Sequence, residues 1–238
     1  MPKRFKDRTS AGRDLAAKLA HLRDQKVIVL GLPRGGLPVA YEIAHALHAP
    51  LDVLNVRKLG VPWHEELAMG AIATGGVRVL NNEIILATGV TRENLDEVTA
   101  LQRLELDRRE RLYRSGRPAP ALRGRVVVLV DDGIATGATA RAAIGVVRAQ
   151  QPARLVLAVP VVQATVADEL KQEVDELVFV VAPGDLYAIG VWYDSFPQVT
   201  DEEVRKILAR SAAEPAAALM TAGAAERPLD GPVDVRGD

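Results

Sequence analysis

Five short runs along the chain are rich in Val, Ile and Leu without polar alternation, and they lie at residues 27–32, 51–56, 125–130, 155–160 and 177–182. Runs of this kind are typical of strands that are buried on both faces of a parallel sheet. Helical spacing of apolar residues precedes or separates them at residues 12–23, 37–47, 137–149 and 166–173. The alternation predicts βαβ units, and hence an α/β fold with a five-stranded, mainly parallel sheet flanked by helices.

Two regions depart from this alternation. Residues 68–74 and 77–80 flank a Gly-Gly pair that favours a tight turn, so they are predicted to form a β-hairpin. The preceding residues 58–66 have no regular period and are expected to form an exposed loop. Residues 91–115 predict a long charged helix, whose polar face we expect to be solvated and whose apolar side could contribute to a homodimer interface.

The chain closes with a short helix and a polar extension. Thr200 and Glu203 have the spacing of a capping box, so a helix is expected to begin there and to fade by Ser211. Residues 212–238 are rich in Ala, Gly, Pro and acidic residues and predict a flexible tail. The chain is therefore predicted to form one domain over residues 1–211, followed by this tail.

Composition limits the class of protein. The 238 residues carry 30 Lys and Arg against 31 Asp and Glu, and they include no Cys. Balanced charge argues against nucleic acid as a partner, and the lack of Cys excludes disulfides and zinc–thiolate sites. The longest apolar runs fall short of the roughly 18 to 20 residues of a membrane span. The N-terminal residues lack the apolar core of a signal peptide. We expect a soluble, cytoplasmic protein.

The most informative chemistry lies in residues 126–139, with the sequence VVVLVDDGIATGAT. A buried strand ends in Asp131 and Asp132, and a loop of small residues leads into a helix. The loop amides, the hydroxyls of Thr136 and Thr139 and the helix N-terminus favour a phosphate, whereas the acidic pair suits sugar hydroxyls or a metal ion. A phosphorylated sugar carries both a phosphate and hydroxyl groups. The residues alone leave open an ordinary acidic strand end, or a divalent-metal or aspartyl-phosphate site; a Walker A loop is excluded.

This segment resembles the signature of the type I phosphoribosyltransferases, which bind 5-phosphoribosyl 1-pyrophosphate (PRPP). The resemblance implies that Asp131 and Asp132 hold the ribose 2′- and 3′-hydroxyls and, directly or through water, Mg²⁺. It implies that the 5′-phosphate is bound by Ile134, Ala135, Thr136, Gly137, Ala138 and Thr139. It also implies the type I fold, with a small hood and a flexible hairpin loop.

A second segment, GLPRGGLP at residues 31–38, follows the first strand and opens the next helix. In the family this is the position of the pyrophosphate loop, so the resemblance implies that Arg34, Gly35 and Gly36 bind pyrophosphate. Some members have a non-proline cis peptide in this loop, which here corresponds to the bond between Pro33 and Arg34. From the residues alone, an ordinary turn between strand and helix remains open.

A third segment, VRKLGVP at residues 56–62, is similar to the start of the mobile catalytic loop of adenine-type members. The match is partial, because Pro62 comes one residue early and the second Lys is missing. The resemblance implies that Arg57 and Lys58 are catalytic and stabilise the leaving pyrophosphate. The alternative is a pair of surface cations at a strand end. In the same loop we expect mainly solvent exposure for His64, Glu65 and Glu66.

The base is less well defined by the sequence. The position where 6-oxopurine members have an Asp is Ala135, which argues against hypoxanthine or guanine and favours adenine-type members. In the family the segment after the fifth strand often contributes to a base-binding hood, which here would include Tyr187, Trp192, Tyr193 and Asp194. Phe5 could complete this hood. The alternative is a small aromatic core under the last helix.

These features predict a Mg²⁺-dependent phosphoribosyltransferase that forms a nucleoside 5′-monophosphate and pyrophosphate from PRPP and a nitrogenous base, as in nucleotide salvage. One alternative is a regulatory protein that senses PRPP without transferase activity. Another is a hydrolytic or phosphorolytic enzyme that uses the same site on nucleotides.

Overall fold

The structure, a computed structural model, describes residues 4–114 and 117–224. Within these residues the strands are β1 (Val27–Gly31), β2 (Leu51–Val53), β3 (Val56–Val61), β4 (His64–Ala73), β5 (Val77–Leu80), β6 (Val126–Val130), β7 (Arg154–Val161) and β8 (Glu176–Val181). The α-helices of the same ranges are α1 (Arg8–Lys18), α2 (Gly36–Leu47), α3 (Asn82–Thr88), α4 (Arg92–Arg114), α5 (Ala138–Arg148), α6 (Ala164–Leu170) and α7 (Asp201–Ala224). Within the described part of the chain, no helix combines the length and the hydrophobicity needed to span a bilayer.

The main sheet has five strands in the order β2-β1-β6-β7-β8, and every neighbouring pair is parallel. This confirms the predicted α/β fold. Alternate residues of β6 face opposite layers, because side chains along a strand alternate between its two faces. Val127 and Leu129 pack towards α5 and α6, whereas Val128 and Val130 pack towards α1 and α2. All five residues of β6 are buried, which explains why its sequence has no polar alternation.

A second sheet of three antiparallel strands, in the order β3-β4-β5, lies beside the main one. The predicted hairpin around the Gly-Gly pair is confirmed, and both glycines have positive φ angles, 78° at Gly75 and 75° at Gly76. The expectation of a loop over residues 58–66 is wrong, since β3 pairs with β4 across a turn at Pro62 and Trp63. Leu59 is fully buried in the apolar core of this sheet, which stabilises the extra strand.

The predicted long helix is present as α4, although its apolar side is only partly covered. Leu95 and Leu106 are buried, whereas Leu101 and Leu104 are 67% and 70% exposed. His64 and Glu65 are exposed as expected, while the side chain of Glu66 lies outside the described part of the structure.

Helix α7 continues to Ala224, beyond the predicted end at Ser211. Ala is the residue that most favours helix, and the added residues begin with two of them. Glu214 then connects α7 to α2, because it accepts a hydrogen bond from the Tyr41 hydroxyl and lies 3.3 Å from the His45 ring nitrogen Nδ1. Residues 225–238 of the predicted tail lie outside the described residues.

A buried ion pair fixes the end of α4 against the main sheet. The Arg114 side chain is only 6% exposed, and its Nη1 donates to Oδ2 of Asp52 in β2 at 2.8 Å. Its Nη2 donates to the backbone carbonyl of Val53 at 2.8 Å. These bonds join the last turn of α4 to the edge strand of the sheet.

Replacing Arg114 with Met should lower the free energy of unfolding by about 2 to 4 kcal/mol, because the change leaves Asp52 without its cation in a partly buried position. Urea denaturation measures this loss. Arg111→Met, at an exposed position of the same helix, is the matched control and should change stability by less than about 0.5 kcal/mol. Equal stability of the two variants would contradict a structural role for the pair.

Candidate functional site

The site is formed where β1 and β6 end side by side. Their parallel register places Gly31 beside Val130, so the loops that follow both strands leave the sheet at the same edge. The amide of Leu32 donates to the Val130 carbonyl at 2.8 Å. A Cβ atom on Gly36 would lie 2.7 Å from that same carbonyl oxygen. The two segments singled out in the sequence are therefore in direct contact.

The acidic pair lies half-buried at this edge. The Asp132 amide donates to Oδ1 of Asp131 at 2.9 Å, so the backbone of Asp132 fixes the orientation of the Asp131 carboxylate. Burial, and then the negative charge of Asp132, raise the pKa of Asp131 well above its ordinary value. The Asp132 carboxylate has a cation beside it, since Nε of Arg8 donates to Oδ2 at 2.7 Å. Nothing in the sequence pattern indicates this partner.

The small-residue loop after the pair has one anchored end and one open end. Ile134 is 4% exposed, and its amide donates to the Val161 carbonyl at 2.9 Å, so Ile134 fixes the loop to the sheet. Gly137 has a φ of 78° and directly precedes α5, which begins without a side-chain cap among the described residues. The positive end of the α5 dipole therefore faces the loop.

The remaining residues of this loop lie towards solvent. Ala135 and Ala138 are half-buried, and Thr136 and Thr139 are exposed. Arg141, one turn into α5, donates to the Thr136 carbonyl at 3.1 Å and so holds the loop on its helix. Amides, hydroxyls and a helix N-terminus are thus gathered around an open surface that suits a phosphate group.

The loop after β1 lies against the acidic pair. A Cβ atom on Gly35 would be 1.9 Å from Oδ2 of Asp132, so only glycine fits at this position. The peptide bond between Pro33 and Arg34 is cis, as the resemblance implied. The Arg34 side chain is 35% exposed, and its Nη1 lies 3.9 Å from Oδ1 of Asp201 at the start of α7.

A cavity of about 480 Å³ opens between the second sheet, α4 and these loops. Pro33 of the first loop and Thr139 of the second line one part of it, and Arg57 and Lys58 of β3 line another. The two cations predicted to act on a leaving group therefore face a cavity that reaches the loops after β1 and β6. Positive charge in such a cleft attracts anions.

Helix α4 lines this cavity with Val98, Leu101, Gln102 and Arg109, and the sequence did not single out the two polar residues, Gln102 and Arg109. Nε of Arg57 donates to Oε1 of Gln102 at 2.8 Å, and Nε of Arg109 donates to Oε1 of Glu105 at 2.7 Å. Burial and the positive charge of Arg109 lower the pKa of Arg57. The charged α4 sequence predicts a solvated face, and nothing in it distinguishes the charges that line the cavity from the others.

The residues expected to form the hood have different environments. Tyr187 is 93% exposed, and Asp194 lies 3.3 Å from the Arg4 guanidinium. Tyr193 is 2% exposed and packs with Phe5 and, at a ring-centroid distance of 4.8 Å, with Phe196.

The predicted alternative, a small aromatic core, therefore describes Tyr193, and the half-buried Trp192 packs against the same core. The Tyr193 hydroxyl donates to the Asp132 carbonyl at 2.6 Å. The segment that follows β8 also packs against the residue after the acidic pair, because a Cβ atom on Gly133 would lie 2.5 Å from the Ile189 side chain.

The oxygen atoms available for a metal ion are few. Across residues 4–114 and 117–224, no three His, Asp or Glu side chains converge in a way that would hold a metal ion by themselves. Asp131 and Asp132 offer carboxylate oxygens, one of which is already bonded to Arg8. This donor set fits Mg²⁺, which takes few protein ligands and completes its shell with water and substrate phosphates.

The fold and the two contacting loops define a protein that belongs to the phosphoribosyl transferase family, since residues 4–187 match the family model of the phosphoribosyl transferase domain. Relatives from two strains of Mycobacterium tuberculosis, each named as a candidate phosphoribosyl transferase, are 46% identical over 243 residues. The match covers 99% of this chain and 55% of each relative, so the chain spans about half the length of these curated proteins.

A solved structure has the same fold over most of its length. The crystal structure of TT1426 from Thermus thermophilus is 44% identical to this chain and superposes with a TM-score of 0.81. The alignment covers 87% of this chain and 98% of that protein. The α/β domain with its accompanying antiparallel sheet is therefore shared with a close relative.

Gly35→Ala should lower the free energy of unfolding by about 1 to 3 kcal/mol, because the added methyl group displaces the Asp132 carboxylate from its position beside Arg8. Urea denaturation measures the change. Gly145→Ala is the matched control: in α5 its Cβ would be 3.6 Å from Val79, and helix propensity predicts a gain of about 0.5 to 1 kcal/mol. A Gly35→Ala protein as stable as the wild type would show that the two loops are not packed as described.

Proposed function

We propose that this chain is a PRPP-dependent phosphoribosyltransferase. In the reaction, the bond between ribose C1 and the pyrophosphate oxygen breaks and a bond between C1 and a base nitrogen forms. The products are a nucleoside 5′-monophosphate and pyrophosphate, and the proton displaced from the base nitrogen passes to solvent. The observation that supports this most is the contact of Gly35 with Asp132, which joins a candidate pyrophosphate loop to a candidate ribose site.

The proposed roles follow the positions of the side chains. Asp131 and Asp132 hold the ribose hydroxyls, and the open part of the loop from Ala135 to Thr139 binds the 5′-phosphate. Arg34 and the amides of the Gly35-Gly36 turn bind the pyrophosphate. The resulting ligand lies along the shared edge of β1 and β6, where ligands of open α/β sheets bind.

The cations of the cavity act on the leaving group. Negative charge develops on pyrophosphate as the bond to C1 breaks, and fixed positive charges stabilise that transition state most where water is excluded. Lys58 and Arg57 extend from β3, and Arg109 from α4, into the cavity next to Pro33. We assign all three to the departing pyrophosphate.

The acidic pair would also hold Mg²⁺, directly or through water. Bound there, the metal ion would neutralise charge on the pyrophosphate and orient it. Asp131 and Asp132 would limit the position of the ion, while the substrate supplies most of the oxygen ligands.

The base is proposed to lie under the segment that follows β8. The loop residue Ala135 cannot act as an acid or base, so recognition by a carboxylate at this position, as in 6-oxopurine members, is not proposed. Tyr187 is 93% exposed and could stack on a planar base, a contact that is worth roughly 1 to 3 kcal/mol. We propose an adenine-type base, because position 135 has an alanine and not an acidic residue.

The proposal is tested by measuring pyrophosphate release with PRPP, Mg²⁺ and a panel of purine, pyrimidine and other bases. The wild type should turn over with at least one base, and Asp131→Asn should abolish the activity, because the ribose hydroxyls lose their charged acceptor. Asp168→Asn, at an exposed position of α6, is the control and should retain activity.

Two results would contradict the transferase. Binding of PRPP by calorimetry without turnover of any base would indicate the regulatory alternative. Absence of PRPP binding would contradict both and would leave the paired loops without their proposed ligand.

Lys58→Met should lower kcat/KM by about 10²-fold, because it removes a cation from the site of developing negative charge. Arg109→Met should cause a smaller loss, about tenfold, since Glu105 already neutralises part of its charge. Steady-state kinetics with varied PRPP measure both. Arg103→Met, on α4 but outside this cavity, should stay within about twofold of the wild type. Unchanged kinetics in Lys58→Met would exclude the cavity as the site of the leaving group.

A further inference from the structure

Arg8, the first residue of α1, is more deeply buried than its charge would predict, with 8% of its surface exposed. Arginine is rarely this buried unless it is paired. A capping box fixes the start of the helix, because the Ser10 amide donates to the Asp7 carboxylate and the Asp7 amide donates to the Ser10 hydroxyl. The backbone from which the Arg8 side chain extends is therefore held in place.

Three contacts then fix the plane of the Arg8 guanidinium. Nε donates to Oδ2 of Asp132 at 2.7 Å, and Nη1 donates to the backbone carbonyl of Pro197 at 2.7 Å. The guanidinium carbon lies 3.6 Å from the centroid of the Phe196 ring. A cation bonded in two directions and stacked on a ring has little freedom to rotate.

Asp132 has two further contacts besides the one with Arg8. Its carbonyl accepts a hydrogen bond from Tyr193, and its Oδ2 lies where a Cβ atom on Gly35 would be. The side chains of Arg8 and Asp132 are 9% and 14% exposed, so solvent screens their attraction little. Arg8 also offsets part of the repulsion between the two neighbouring carboxylates.

We propose that Arg8 is a positioning residue for the ribose site: it holds Oδ2 of Asp132 so that Oδ1 is directed to a ribose hydroxyl, and it does not itself bind the ligand. The inference rests on the proposed function, because it names what orients one of the two acids. The two acids then differ in role. Asp132 is oriented by a cation from α1, whereas Asp131 is oriented by the backbone amide that follows it.

The positioning role predicts a selective effect on binding. Ribose 5-phosphate requires the acidic pair, whereas inorganic pyrophosphate without a metal ion is assigned to Arg34, the Gly35-Gly36 turn and the cations of the cavity. Losing the orientation of Asp132 should therefore weaken the binding of ribose 5-phosphate and leave the binding of pyrophosphate unchanged. General damage to the fold would weaken both.

The experiment measures the dissociation constants of ribose 5-phosphate and of pyrophosphate by calorimetry in a metal-free buffer, together with the Tm of each protein. Arg8→Gln should raise the dissociation constant of ribose 5-phosphate by about tenfold or more and leave that of pyrophosphate within about twofold of the wild type. Arg8→Lys keeps the charge but cannot donate in two fixed directions, so it should give an intermediate loss. It also serves as the test if Arg8→Gln does not fold. Arg13→Gln is the control, since Arg13 lies on the same helix with its side chain 71% exposed.

The outcomes separate the two levels of the proposal. A wild type that binds neither ligand overturns the proposed function, and the role of Arg8 with it. A wild type that binds both, with ribose 5-phosphate binding unchanged in the Arg8 variants, overturns only the positioning role. Equal weakening of both ligands also overturns it and shows that Arg8 has a general structural role.

Discussion

Parallel pairing of β1 with β6, in the register that places Gly31 beside Val130, is the constraint on which the site depends. Because the two strands end together, the loop after β1 has to pass against the Val130 carbonyl and the Asp132 carboxylate. A side chain at Gly35 or Gly36 would occupy space that these oxygens already fill. The Gly-Gly turn is thus a steric consequence of the register, and two segments about one hundred residues apart become one surface.

Charge is distributed over this surface in a way that the net charge of −1 does not reveal. Carboxylates lie at the sheet edge, whereas three cations and Glu65 line the adjacent cavity. Isolated buried charges of either sign are unfavourable. Three of these charged side chains have a hydrogen-bond partner: Arg57 donates to Gln102, Arg109 donates to Glu105, and Asp132 accepts from Arg8. The raised pKa of Asp131 and the lowered pKa of Arg57 both result from burial next to a like charge. A ligand that carries both hydroxyl and phosphate groups is complementary to this arrangement.

The sequence predicted the features whose signals are local. An uninterrupted apolar run predicts a buried parallel strand, and β6 confirms this. A small-residue loop after the strand predicts an anion site, and for residues 134–139 that stays a prediction. Strand β3 was missed because its sequence, VRKLGV, has two adjacent cations and no regular alternation of apolar and polar residues. Arg109 was missed since a charged helix has the same pattern whether its charges face solvent or a cavity. Arg8 and Asp132 are 124 residues apart, and no local pattern encodes their contact.

The aromatic residues near the end of the domain show how burial decides a role that composition leaves open. Rings next to a predicted ligand site could stack on a base, yet Tyr193 and Phe196 are packed around Arg8 and the backbone of Asp132. Phe5 joins them from the N-terminal side, where its amide donates to the Trp192 carbonyl at 2.8 Å. Through this aromatic cluster and Arg8, the segment before α1 and the segment before α7 both contact Asp132. A substitution in either segment can therefore change the acidic pair without touching a ligand.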